Sequence, residues 1–165
     1  MVSNYRYTLF LKQESNLSYI HYKEKKGKKV NFKKPITQKG VPKIYVIKTE
    51  NEIIYVGYAN QSLGLRLGQG MRPKGVKGYH GYKWKDKYDM VELLVFTFEN
   101  MGLNFDNKKN QKLFFQAVEA ELVYKIRFET GNWPMHQNEI HFNNHVDKNK
   151  VLQIVDSIYK TLTNR

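Results

Sequence analysis

Residues 43–58 read Lys43-Ile44-Tyr45-Val46-Ile47-Lys48-Thr49-Glu50-Asn51-Glu52-Ile53-Ile54-Tyr55-Val56-Gly57-Tyr58. The two ends of this stretch, KIYVIK over 43–48 and IIYVGY over 53–58, are rich in β-branched and aromatic residues, which suit a pleated, half-buried surface. The four residues between them are short and polar enough to reverse the chain, so a β-hairpin is the economical reading. Tyr45 and Tyr55 share sequence parity. In an even register both rings point to one face as near cross-strand neighbours, because side chains alternate with a period of two.

Downstream, residues 61–69 (QSLGLRLGQ) predict a short helix capped by Ser62 and weakened by Gly64 and Gly68. Gly70, Pro73, Gly75, Gly78 and Gly81 make 70–88 largely loop. MVELLVFTF over 90–98 predicts a third strand, and a long helix follows over about 109–128. A Gly- and Pro-punctuated loop then runs to about 146. A last helix starts near Asp147 as N-cap, with Val151, Ile154, Val155, Ile158 and Leu162 at helical spacing. Upstream, apolar patches at 7–11 and 17–22 flank Glu14-Ser15-Asn16, a turn signal, and suggest a small hairpin. The lysine run at 23–34 reads as a mobile arm ending at Pro35 and Gly40. The expected fold class is α+β: a small three-stranded antiparallel sheet flanked by helices, in the order β-β-α-β-α-α. It would form a domain over 41–165 behind a basic N-terminal extension over 1–40.

A chain of 165 residues suits one domain. With 0 Cys, disulfides, thiolate chemistry and Cys-ligated zinc are excluded. No apolar run approaches the ~18 residues that cross a bilayer, and the opening Met1-Val2-Ser3-Asn4 is no secretory signal. A cytoplasmic setting without a membrane partner is therefore expected. Lys+Arg 28 against Asp+Glu 15 leaves +13, with a pI near 9.7, which points to a polyanionic partner through counterion release. A basic total alone can reflect codon bias, so clustering matters. Residues 23–34 hold seven Lys against one Glu, and residues 72–87 hold six basic residues against one Asp, interleaved with Tyr79, His80, Tyr82 and Trp84. Lys25, Lys26, Lys28, Lys29, Arg72, Lys74, Lys77, Lys83 and Lys85 are the expected DNA-binding cations. Nucleic acid is favoured over a membrane surface because no strongly amphipathic basic helix is present.

Lys43-Ile44-Tyr45, followed ten residues after its Tyr by Tyr55-Val56-Gly57, resembles the paired signature of the GIY-YIG nucleases. Ala59 and then Arg66 are similar to that family's stretch leading to a helical arginine. Glu119-Ala120-Glu121-Leu122-Val123 resembles its glutamate-bearing helix, and Pro134-Met135-His136-Gln137-Asn138 its closing Pro-x-x-x-Asn. The resemblance spans about residues 41–140, with its elements in order. Four departures stand against it. Lys43 replaces the first glycine, Tyr58 stands where repair members often have lysine, Arg66 lies one residue late, and the step from Glu119 to Asn138 is long.

The resemblance implies hydrolysis of DNA phosphodiesters. Tyr45 or Tyr55 would act as the base, restriction-type members favouring the first and repair-type members the second. Arg66, with Arg72 as fallback, would clamp the phosphate, and Asn138 would tie the closing loop to the site. Strand tyrosines more often serve as packing, and on spacing alone Asn138 is equally a turn residue. Glu119 has its own case: Phe115, Val118, Leu122 and Ile126 form one helical stripe, and Glu119 falls inside it. A carboxylate there needs a cation or a strong donor. A salt bridge to Arg66 or Arg127 would serve; a Mg²⁺ ion, with Mn²⁺ as substitute, explains the same position and is favoured. His80 is a candidate proton carrier or phosphate contact, while Tyr79, Tyr82 and Trp84 pack on DNA or cover the core edge. No histidine spacing calls for zinc, and no organic cofactor is expected. The expected enzyme is a type II restriction endonuclease of double-stranded DNA, working as a homodimer. The alternatives are a structure-specific repair or mobile-element nuclease and an inactive DNA-binding module.

Overall fold

The computed structural model describes residues 2–14, 17–23, 28–72, 81–137 and 140–163. Its elements are β1 (Ser3–Glu14), β2 (Leu17–Lys23), β3 (Lys43–Lys48), β4 (Ile53–Ala59), α1 (Leu63–Gly70), β5 (Met90–Thr97), α2 (Lys108–Thr130) and α3 (Lys148–Thr163), with one 3-10 turn at Glu99–Met101. The mixed α+β class is as expected. The sheet, however, has five antiparallel strands in the order β2-β1-β5-β3-β4 rather than three. The small hairpin expected from the patches at 7–11 and 17–22 forms as β1 and β2, and residues 3–14 also join the main sheet. They pair along β5 from Ser3↔Thr97 to Phe10↔Met90, so that β5 has a partner on both sides instead of an open edge.

The segment before β3 also departs from a mobile arm where it is described. Phe32 meets Tyr7 edge-on at 4.9 Å, Ile36 is fully buried, and the Ile36 carbonyl accepts from Leu63 N at 3.2 Å. Lys28 and Lys29 are exposed.

Both sheet faces are covered, which is why β3 reads as an unbroken apolar run rather than an alternating one. Ile44, Val46, Val56, Leu94 and Phe96 pack on α2 and α3. Leu9, Leu11, Tyr45, Ile47, Tyr55, Leu93 and Val95 pack on the other face with Leu63 and Leu67 of α1 and with Tyr82 and Trp84. Burying each such side chain contributes about 1.5–3 kcal/mol relative to exposure. Two helix starts are capped by side chains: Asn107 Oδ1 accepts from Asn110 N at 2.8 Å, and Asp147 Oδ1 from Lys150 N at 3.0 Å, as expected for α3. Ser62 does not cap α1 with its side chain; its carbonyl accepts from Arg66 N at 3.0 Å instead. Gly131, at φ 77°, ends α2 and donates to Arg127 O at 2.8 Å. No helix among the described residues is long and apolar enough to cross a membrane.

Candidate active site

The hairpin pairs Tyr45 with Gly57 and Ile47 with Tyr55, with a bulge between Ile47 and Lys48. This register puts both tyrosine rings on the α1 face, diagonal to one another, with centroids 5.9 Å apart and planes inclined by 40°. Glycine opposite Tyr45 is required by space: a Cβ on Gly57 would lie 2.4 Å from Tyr45 Cζ and 2.7 Å from Tyr55 Cε1. Tyr45 is fully buried, and its hydroxyl is 2.8 Å from the hydroxyl of Tyr82. Tyr82 stacks on Trp84 at 4.9 Å and lies flush on the last residue of α1, where a Cβ on Gly70 would meet its ring at 2.0 Å. Its backbone N donates to Gly70 O at 2.7 Å. The Arg66 guanidinium lies 5.9 Å from the centre of the Tyr82 ring.

β4 is an edge strand, and its outward backbone groups are met by groups that are not strands. His136 N donates to Ile54 O at 2.9 Å. The Gln137 side-chain amide clamps Val56, accepting from its N at 2.9 Å and donating to its O at 3.0 Å. At the next outward position, the Tyr58 backbone N–H acts on the Glu119 carboxylate and favours its ionised form. Burial pushes the Glu119 carboxyl up to about 7, against the opposing pull of Arg66 and of that N–H. Burial likewise holds the Tyr45 phenol well above the usual tyrosine range; Tyr82 and Glu119 add to the rise and Arg66 opposes it. Tyr45, Arg66 and Glu119 thus act on one another's charge. Arg127, the other partner considered for Glu119, instead stacks over Trp133 at 5.0 Å.

The remaining expected residues divide into two groups. Asn138, His80, Lys25, Lys26, Lys74 and Lys77 lie outside the described residues. Arg72 and Lys83 are exposed, while Lys85 is half-buried and donates to Arg72 O at 2.8 Å. Lys43, in place of the signature's first glycine, is fully buried. Its ammonium donates to the carbonyls of Gln38, Val41 and Gln61 at 2.7, 2.7 and 2.9 Å, and burial lowers its pKa to about 8. Three contributors were not assigned these roles from sequence. Lys43 and Gln137 gave no local signal, since their partners become neighbours only in the fold. Tyr82 was singled out, but as a residue that packs on DNA or covers the core edge. No family model matches the chain, and neither a curated protein nor a solved structure matches it significantly.

Proposed function

We propose that the chain is a magnesium-dependent endonuclease of double-stranded DNA, of the GIY-YIG kind and restriction-type in its action. One observation carries this reading: a guanidinium, a carboxylate and a buried phenol, from α1, α2 and β3, act on one another beside the edge of β4. The charge of +13 supplies general attraction for a phosphate backbone.

Glu119 would hold the metal. No three His, Asp or Glu gather among the described residues, but magnesium sites commonly use one or two carboxylates, with water and substrate phosphate completing the shell. A carboxyl raised to about 7 by burial is one that a cation would return to its ionised form. When bound, the metal would supply Lewis-acid stabilisation of the phosphate. Arg66 neutralises charge that develops on the phosphate oxygens. Tyr45 and Tyr55 orient the attacking water, and one of the two, having first lost its own proton, takes a proton from it as phenolate. Two active sites are needed to cut both strands at one place, so two chains would act as a symmetric pair.

A plasmid digest with Mg²⁺ tests the reading. Wild type should give discrete fragments, and Glu119→Gln should lose cleavage about a thousandfold or more while keeping its fold and its DNA binding. Nicks confined to junctions or distorted DNA would indicate a repair-type enzyme. A gel shift without cleavage would leave a DNA-binding module. That second reading has one observation in its favour: Tyr45 is wholly enclosed, and its environment holds the proton on.

A further inference from the structure

We propose that Tyr82 is a positioning residue for cleavage, acting through Tyr45: the two hydroxyls form one hydrogen-bonded unit that aims the Tyr45 oxygen and shares the negative charge it takes up. The reaction invoked is the one proposed above, so the inference rests on that reading; its geometry rests on the 2.8 Å contact.

Packing alone does not call for these oxygens. Neighbouring positions on the same face, Ile47 and Val95, are filled by carbon, and phenylalanine would fill the space of either ring. Two buried hydroxyls are retained, and each ring is fixed from behind: Tyr45 by the bare backbone of Gly57, Tyr82 by that of Gly70 and by the Trp84 stack. Neither can swing away without loss of packing, so the oxygens meet in a fixed geometry.

Among the described residues, the charged and titratable groups facing the pair are Arg66 from α1, Glu119 from α2 and Tyr55 on β4. The pair carries two hydroxyl protons. Once one has left to solvent, the other bridges the two oxygens, and such charge-assisted O–H···O bonds are stronger than neutral ones. The pair then regains its second proton from the attacking water, whose oxygen bonds to phosphorus. Two phenols so coupled lose their first proton more easily than either would alone in the same enclosure; the second is held back, and the rise that Tyr82 adds at Tyr45 belongs to that second step.

The test is Tyr82→Phe, which removes one oxygen and keeps the ring. With the fold verified by thermal melting, kcat should fall about tenfold with KM unchanged, and the rising limb of the pH–rate profile should move to higher pH. An unchanged kcat and an unchanged profile in a folded variant would overturn the proposal. Should Tyr82→Phe not fold, 3-fluorotyrosine at position 82 keeps the bond and acidifies the phenol. The limb should then move to lower pH, and a fixed limb overturns the idea. If wild type cuts no DNA, the nuclease reading fails separately. Carbon-13 titration of the Tyr45 ring then decides: a first ionisation at higher pH in Tyr82→Phe supports the unit, and no shift removes it.

Discussion

On the face that meets α2 and α3, the sheet offers Ile44, Val46, Val56, Leu94 and Phe96, and the helices answer with Phe115, Val118, Leu122, Ile154 and Ile158. On the α1 face, the buried layer includes Tyr45, Tyr55, Tyr82 and Trp84 among its aliphatic residues. Both layers exclude water, but among the described residues only the second puts a hydrogen-bonded pair of hydroxyls in its interior. A carbon layer asks only for volume and shape. A layer with buried oxygens must also meet them with partners, and it shifts their protonation as it does so. The first face holds the sheet together; the second is where chemistry can be poised. Tyr58 is the exception on the helix side: it stacks on Phe115 at 6.0 Å with planes 8° apart, and its buried hydroxyl has no hydrogen-bond partner among the described residues.

The largest effect should come from the carbon face. Phe115 is about fully buried, against Tyr58, Phe98 and Phe114. Phe115→Ala should cost about 3–5 kcal/mol in urea denaturation, from lost burial and the remaining cavity. A loss below about 1 kcal/mol would break the claim that this face supplies the stability.

Next comes Glu119, which belongs to the α2 helix yet meets the edge of β4. Its folded pKa of about 7 lies above the ordinary 4.5, so the folded state holds the proton longer than the unfolded chain does. Without metal, its contribution to stability is fully present below about pH 4.5 and is lost as the pH rises through about 7. The loss is on the order of 2–3 kcal/mol. Glu119→Gln should remove that slope from urea midpoints measured at about pH 5 and about pH 8. Parallel profiles for wild type and variant would show that this carboxyl is not held in the enclosure described.

How much of this was legible beforehand follows from the range of the interactions. The β3–β4 hairpin and the shared face of Tyr45 and Tyr55 rest on local composition and a period of two, so they could be read directly. The cap at Asp147 and the place of Glu119 on the buried stripe of α2 are equally local. The pairing of β1 with β5 joins residues 80 or more positions apart, and no local pattern in 90–98 says which strand will flank it. The Gln137 clamp on Val56 spans 81 positions and is likewise a product of the fold. Tyr82 stood in a conspicuous glycine-rich stretch, but its meaning depended on which hydroxyl it would face. Lys43 looked like a tolerated departure from a glycine, whereas its ammonium ties three carbonyls to the start of β3.

The smallest effects separate the two faces most cleanly, because they compare one hydroxyl with another. Tyr45→Phe removes an oxygen that is 2.8 Å from a partner, so it should cost about 1 kcal/mol. Tyr82→Phe should cost a similar amount. The double variant should cost little more than either single one, since the shared bond is lost only once; the coupling should be about 0.5–1.5 kcal/mol. Tyr58→Phe removes an oxygen that has been buried without a partner, and burial followed by the Glu119 charge holds its proton up to about 12. Taking it away relieves a desolvation cost and breaks no bond, so stability should stay level or rise by a few tenths of a kcal/mol. If Tyr58→Phe proved as harmful as Tyr45→Phe, buried hydroxyls would be equivalent on both faces, and the distinction between a carbon layer and a chemical layer would fail.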